Sequence, residues 1–270
     1  MLHRLTSLFL IVVMFVGCST NPVTGRRQFK LVSEQELQAM ANTEYRQFLS
    51  TNRVVSPSAD RDAEMVRRVG QRIANAVTQY YRSQGQAEVL AGYKWEFNLV
   101  NDKDANAWAM PGGKVVVYTG LLPITQNEAA LANVLGHEIS HAIFQHGNER
   151  MSQGLAQQLG GTALSVALAN KPAQTQNLFM QAYGLGSSVG VVLPFSRRQE
   201  LESDRFGMRW AAMAGYNPKE AINLWRRMQK MSNSAKPPEF LSTHPAEERR
   251  IQELERYLPE AMKYYKPAGR

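Results

Sequence analysis

Two histidines four residues apart, with a glutamate after the first, stand in His137-Glu138-Ile139-Ser140-His141. On a helix, positions i and i+4 lie one turn apart on the same face, so both imidazoles can reach one cation. Glu138 then sits about 100° round the helix axis, near enough to hold a water without binding the ion itself. This is the ligand-and-base arrangement of a zinc hydrolase, which needs a third protein ligand and an open fourth position.

The third ligand must come from elsewhere in the chain. Of the five histidines, His3 falls in an N-terminal apolar segment, and His146 is expected on the opposite helix face, nine residues after His137. His244 and the acidic residues are left. In Arg198-Gln199-Glu200-Leu201-Glu202-Ser203-Asp204, Glu200 and Asp204 again stand at i and i+4. Glu200 is read as the third ligand, and Asp204 as the acceptor of an N–H from a ligand histidine. The plainer reading, a solvated acidic face among Arg197, Arg198 and Arg205, gives way because the His-Glu motif needs a partner.

The surrounding pattern supplies elements that can position these groups. Thr125 with Glu128 is read as a capping box opening a helix with apolar Ala130, Leu131, Val134, Leu135, Ile139, Ala142 and Ile143 at helical spacing. Ser33 with Glu36 opens an earlier helix, and Asp62 to Tyr81 carries an apolar face through Val66, Val69, Ile73 and Val77. Trp95, Phe97 and Leu99 alternate as in a strand, and Pro111-Gly112-Gly113 turns into a β-branched run from Lys114 to Thr119. Leu155 to Leu168, Gln199 to Ala214, Pro218 to Met231 and Ala246 to Tyr257 read as further helices. The expected class is α+β: a mostly helical domain with a small antiparallel sheet whose edge strand flanks the motif helix.

Several separate pieces occur together and in order: Asn21-Pro22-Val23-Thr24-Gly25-Arg26-Arg27, Asn106-Ala107-Trp108-Ala109-Met110-Pro111-Gly112-Gly113, Gly120-Leu121-Leu122, the His-Glu helix, Glu200 to Asp204, and Ser242-Thr243-His244-Pro245. With them the chain resembles the zinc metallopeptidases that include HtpX and the CAAX prenyl proteases, in an exported lipoprotein branch related to the Oma-type enzymes. The resemblance implies one zinc per chain on His137, His141 and Glu200, with Glu138 as general base. It also implies that the strand from Lys114 through Val115 and Val116 runs along the cleft and pairs with an extended polypeptide substrate. His244 admits three readings: oxyanion stabiliser, reversible fourth zinc ligand, or packing at a helix start. Asn106 is read as bonding substrate backbone or as a turn residue, and Trp108 and Met110 as cleft wall or core.

The first residues are read as targeting. An apolar run from Leu8 to Val16 is too short to span a bilayer, and Phe15-Val16-Gly17-Cys18 resembles a lipobox. Residues 1–17 are thus expected to be a signal peptide, 18–33 a tether lipidated at Cys18, and 34–270 the metallopeptidase domain. Cys18 is the one cysteine, which excludes an internal disulfide or a thiolate metal site. The net charge of +8 is dispersed in pairs such as Arg249-Arg250 and comes with no nucleic-acid motif, so the expected contact is a membrane surface and not nucleic acid. Together these place the protein in a bacterial cell envelope, facing the periplasm, with Ser19 after Cys18 pointing to the outer membrane. The expected activity is endopeptidase cleavage of misfolded or unassembled envelope proteins. The rivals are a zinc-stabilised chaperone or adaptor for outer-membrane assembly that binds without cutting, and a zinc amidase acting on cell wall.

Overall fold

A computed structural model describes residues 18–159, 172–183, 195–232, 237–245 and 248–267. The expected signal peptide lies outside them, as does the helix expected over 155–168 beyond residue 159. The elements are β1 (Cys18–Thr20), β2 (Arg27–Phe29), α1 (Glu34–Thr51), β3 (Val54–Val55), α2 (Arg61–Ser83), β4 (Glu96–Val100), β5 (Ala107–Met110) and β6 (Lys114–Tyr118). They continue with α3 (Leu122–Thr125), α4 (Glu128–Ile143), α5 (His146–Leu159), α6 (Pro172–Ala182), α7 (Arg197–Met213), α8 (Glu220–Ser232), α9 (Phe240–Thr243) and α10 (Glu248–Met262). The mostly helical α+β class is as the sequence implies.

The local signals act where they were read, with one exception. Ser33 and Glu36 form the reciprocal capping box of α1, and α2 buries Val66, Val69, Ile73 and Val77 against the core. At α4 the cap is Asn127, whose Oδ1 accepts from the Ala130 N–H at 2.8 Å. Thr125 instead ends the one-turn α3, its hydroxyl donating to the Leu122 carbonyl, and Gln126 at φ 65° separates the two helices. Glu128, freed from capping, takes a two-pronged ion pair from Arg68.

The four-stranded sheet runs β3-β4-β6-β5, with β4 and β6 parallel and the other two pairings antiparallel. β6 is therefore interior, hydrogen-bonded on both sides, and this corrects the expectation that Lys114, Val115 and Val116 pair with substrate. Their peptide groups are already used by β4 and β5, and the buried Lys114 ammonium donates to Glu96 at 2.6 Å and to the Lys94 carbonyl. The strand next to α4 is β5, whose outer edge has no strand partner among the described residues. Tyr118 N–H donates to the Asn106 carbonyl. By antiparallel alternation the peptide groups of Trp108 and Met110 also face β6, leaving those of Ala107 and Ala109 turned outward.

Residues 18–33 are not a loose tether. β1 and β2 pair through a turn in which Asn21 Oδ1 accepts from the N–H groups of Val23 and Thr24. Arg26 anchors this hairpin to the body, reaching Glu149 at 2.6 and 2.7 Å and Glu202 at 2.8 Å. A buried carboxylate without such a partner would cost several kcal/mol of desolvation, roughly, so the pairing holds the segment down.

α4 is the centre of the fold, packing on α2, α7, α8 and β5, and every residue from Ala130 to Ile143 is buried. Burying a helix that carries Asn133, His137, Glu138, Ser140 and His141 is costly unless most of these polar groups find partners. α7 supplies many of them because the two helices cross at Gly136 and Gly207. A Cβ on Gly136 would lie 2.5 Å from the Gly207 carbonyl oxygen, and one on Gly207 would lie 2.7 Å from the His137 nitrogen. Both obstacles are backbone, so no side-chain rotation relieves them. In an exposed helix interior, Gly→Ala stabilises by about 1 kcal/mol. Here overpacking of about 1–3 kcal/mol reverses the sign. Gly136→Ala should lower the thermal midpoint by several degrees and lower zinc content; an unchanged or raised midpoint with full zinc would show that the crossing is not tight.

Candidate metal centre

His137 and His141 project from one face of α4, Glu200 from the first turn of α7, and His244 from the end of α9. Ser196 caps α7 in a reciprocal box with Gln199, which fixes the first turn where Glu200 sits. One ligand-type atom from each of the four residues lies within 4.8 Å of all the others, and all four residues are buried. His137 Nε2 is 3.0 Å from His141 Nε2 and 3.2 Å from His244 Nδ1, and His244 Nδ1 is 2.9 Å from Glu200 Oε1. His141 Nε2 is 3.3 Å from Glu200 Oε1. Ligand atoms about 2.0–2.1 Å from a tetrahedral ion lie roughly 3.4 Å apart, so the donor set matches zinc.

The protons support the same conclusion. Asp204 Oδ1 lies 2.9 Å from His137 Nδ1, the position expected for a carboxylate that takes the Nδ1 proton and leaves a lone pair on Nε2. His141 Nδ1 lies 3.0 Å from His146 Nδ1, and His146 Nε2 lies 2.9 Å from Glu202. With Glu202 accepting from His146, the remaining His146 nitrogen accepts from His141, and His141 Nε2 is left bare. Two bare nitrogens 3.0 Å apart in a buried site repel unless a cation stands between them. Burial drives the His141 pKa well below the ordinary histidine value, against the opposing pull of Glu200, and so disfavours a proton in that role.

His146 corrects the expectation of an opposite-face residue. α4 ends at Ile143, Gln145 adopts φ 55°, and His146 begins a new helix that folds back behind His141. Arg250 is a second group that the sequence reading missed. Its Nη1 lies 2.5 Å from Glu200 Oε2, and its Nε and Nη2 donate to Asp204 at 2.6 and 2.8 Å. The guanidinium also lies over the Trp225 ring at 3.4 Å. It holds both carboxylates ionised: burial would raise the Glu200 pKa, but Arg250 and then His244 bring it well below the usual range.

The cleft is lined by Asn106, Ala107, Trp108 and Ala109 on one side and by Glu138, His141, Gly147, Tyr183, Phe195, Thr243 and His244 on the others. Asn106 Oδ1 accepts the Ala107 N–H, so that oxygen is occupied locally. Glu138 Oε1 is buried with no hydrogen-bond partner among the described residues, 3.4 Å from His244 Nε2. Burial first, and the Glu200 charge second, raise the Glu138 pKa well above the carboxylate range. Asp204→Asn should weaken zinc affinity by about 10- to 100-fold while leaving the fold intact. Competition with a chelator of known affinity measures this, and an unchanged affinity would remove Asp204 from the support of His137.

A model of peptidase family M48 matches residues 60–258. The chain is 34% identical over 253 residues to "Mitochondrial metalloendopeptidase OMA1" of Schizosaccharomyces pombe, covering 93% of this chain and 69% of that one. The Saccharomyces cerevisiae protein of the same name is 30% identical, with 94% and 75% covered. "Beta-barrel assembly-enhancing protease" of Yersinia pestis is 31% identical over 185 residues, 65% of this chain and 37% of that protein. The expected home in a bacterial outer membrane is overturned, because relatives matching over nearly the whole chain are mitochondrial by name. Among the described residues no helix is long and apolar enough to cross a membrane. A family match over most of the chain, joined to this donor set, places the protein in peptidase family M48, as a zinc metallopeptidase.

Proposed function

We propose that the cleft cuts extended polypeptides at internal bonds, with His137, His141 and Glu200 as the permanent zinc ligands and Glu138 as the base. The observation that carries this is the pairing of a four-donor cluster with a buried carboxylate oxygen that has no hydrogen-bond partner among the described residues. When bound, zinc acidifies a water to a pKa of about 7 and polarises the scissile carbonyl. Glu138 takes the proton from the attacking water and delivers it to the leaving amine. Substrate lies along the outer edge of β5, where the outward carbonyls of Ala107 and Ala109 and the Ala109 N–H accept backbone pairing. A binding-only adaptor has no use for a carboxylate placed like Glu138.

His244 is best read as the fourth ligand of a resting state. Its Nδ1 stands among the ligand atoms, while its Nε2 faces Glu138. Stacking on Phe240, 4.3 Å between centroids, steadies the ring at the end of a one-turn helix, where a small backbone change withdraws it. A lipid on Cys18 is a separate proposal, supported by the apolar run before it; the intact mass of the mature chain tests it, and an unmodified Cys18 would end it.

Glu138→Gln should keep one zinc per chain and the wild-type melting profile yet lose casein cleavage by about 100-fold or more; retained cleavage would assign the base elsewhere. His244→Ala should bind zinc more weakly than wild type and cleave casein faster at saturating zinc. A zinc-loaded variant that is instead about 100-fold slower would make His244 an oxyanion donor.

A further inference from the structure

Beside the cleft lies a buried cation that the peptidase reading does not use. Arg150 is on α5 one turn after Gly147, and the two share a helix face. Gly147 lines the cleft and touches the Tyr183 ring so closely that a Cβ there would fall 2.2 Å from it. The Arg150 guanidinium lies 3.8 Å from the centre of the Phe195 ring, another cleft wall. Arg150 is 3% exposed and Tyr183 5%.

The hydrogen bonding of this corner is incomplete. Of the five guanidinium donors, Nη2 reaches the Gln181 carbonyl at 3.1 Å, while Nε and Nη1 have no partner among the described residues. The Tyr183 hydroxyl has none either. Arg250, by comparison, is closed off by Asp204 and Glu200. Native proteins rarely leave buried donors unmade. A guanidinium left so can bind an anion, since each N–H makes a charge-assisted hydrogen bond to a carboxylate oxygen. Burial lowers the Arg150 pKa to about 10, which still leaves it charged near neutrality.

We propose that Arg150 and Tyr183 form a substrate pocket that receives a carboxylate. An unpartnered Arg150 N–H, on Nε or Nη1, donates to one of its oxygens, and the Tyr183 hydroxyl donates to the other. The carboxylate comes either from a Glu or Asp side chain near the scissile bond or from the C-terminus of the substrate. Nothing is transferred here; the pocket selects and orients. The proposal rests on the cleft being a peptide site, but not on His244 or on the rate of the chemical step.

Binding therefore provides the test, on the full chain carrying Glu138→Gln and loaded with zinc. Fluorescent peptides blocked at both ends, identical except for Glu or Gln at each position flanking the scissile bond, separate the side-chain source. The same peptide with a free or amidated C-terminus separates the other. One carboxylate-bearing member should bind about 10- to 100-fold more tightly than its amide, the worth of a charged hydrogen-bonded contact. Arg150→Met should bring that ratio close to one, and Arg150→Lys should retain part of it. Because the ratio is taken within each protein, general loss of affinity cancels. Equal binding of all acid and amide pairs by the Glu138→Gln protein would overturn the proposal even if Arg150→Met failed to fold. A ratio that survives Arg150→Met would overturn it too. Failure to bind any peptide would instead sink the cleft reading, and this proposal with it.

Discussion

The backbone contact between α4 and α7 at Gly136 and Gly207 sets the scale of the active centre. Helix axes ordinarily pack about 8–10 Å apart, kept there by the side chains between them. Removing both Cβ atoms at the crossing lets the backbones touch. One residue after Gly136 comes His137, and near Gly207, one turn back, come Asp204 and then Glu200. The short reach of a carboxylate to an imidazole, 2.9 Å at Asp204, is thus a consequence of the crossing as much as of the side chains themselves.

Electrostatics completes what packing begins. Glu138, Glu200 and Asp204 are all buried around one centre, an arrangement stable only if countered. Arg250 counters two of them directly, and a divalent cation among the four donors would counter the rest. The behind-the-ligand groups come in two sets: Asp204 with Arg250 behind His137, and His146 with Glu202 and Arg26 behind His141. Each set fixes one imidazole's tautomer, so the protein specifies the direction of both lone pairs before any ion arrives.

What could be read from the sequence follows how local each signal is. His137, Glu138 and His141, and Glu200 with Asp204, declare themselves through i,i+4 spacing, and the α1 and α2 starts through their caps. His146 hid because helix continuity was assumed through Gln145, whose positive φ has no strong residue signature. Arg250 hid among dispersed basic pairs, since nothing near it in sequence says that it will meet residues 46 and 50 positions earlier. The family resemblance points to Lys114–Tyr118 as the strand along the cleft, whereas strand order, set by the parallel β4–β6 crossover that no alternation pattern records, puts β5 at that edge. The hairpin at 18–29 looked like a tether because its hold on the body comes from Arg26 and Gln28 meeting groups more than a hundred residues away.

That hairpin, taken with Arg250, has a bearing on the protein's own synthesis. The His-Glu helix is complete once residue 143 has emerged, yet Glu200, Asp204, His244 and Arg250 all follow it. A growing chain holds two imidazoles with neither carboxylate nor guanidinium to set them, and the docked N-terminal hairpin finds Glu202 only late. The centre therefore assembles from contacts of long sequence separation, which form slowly and together. A nascent chain with its catalytic motif exposed lacks the complete catalytic centre until α10, which carries Arg250, has been made.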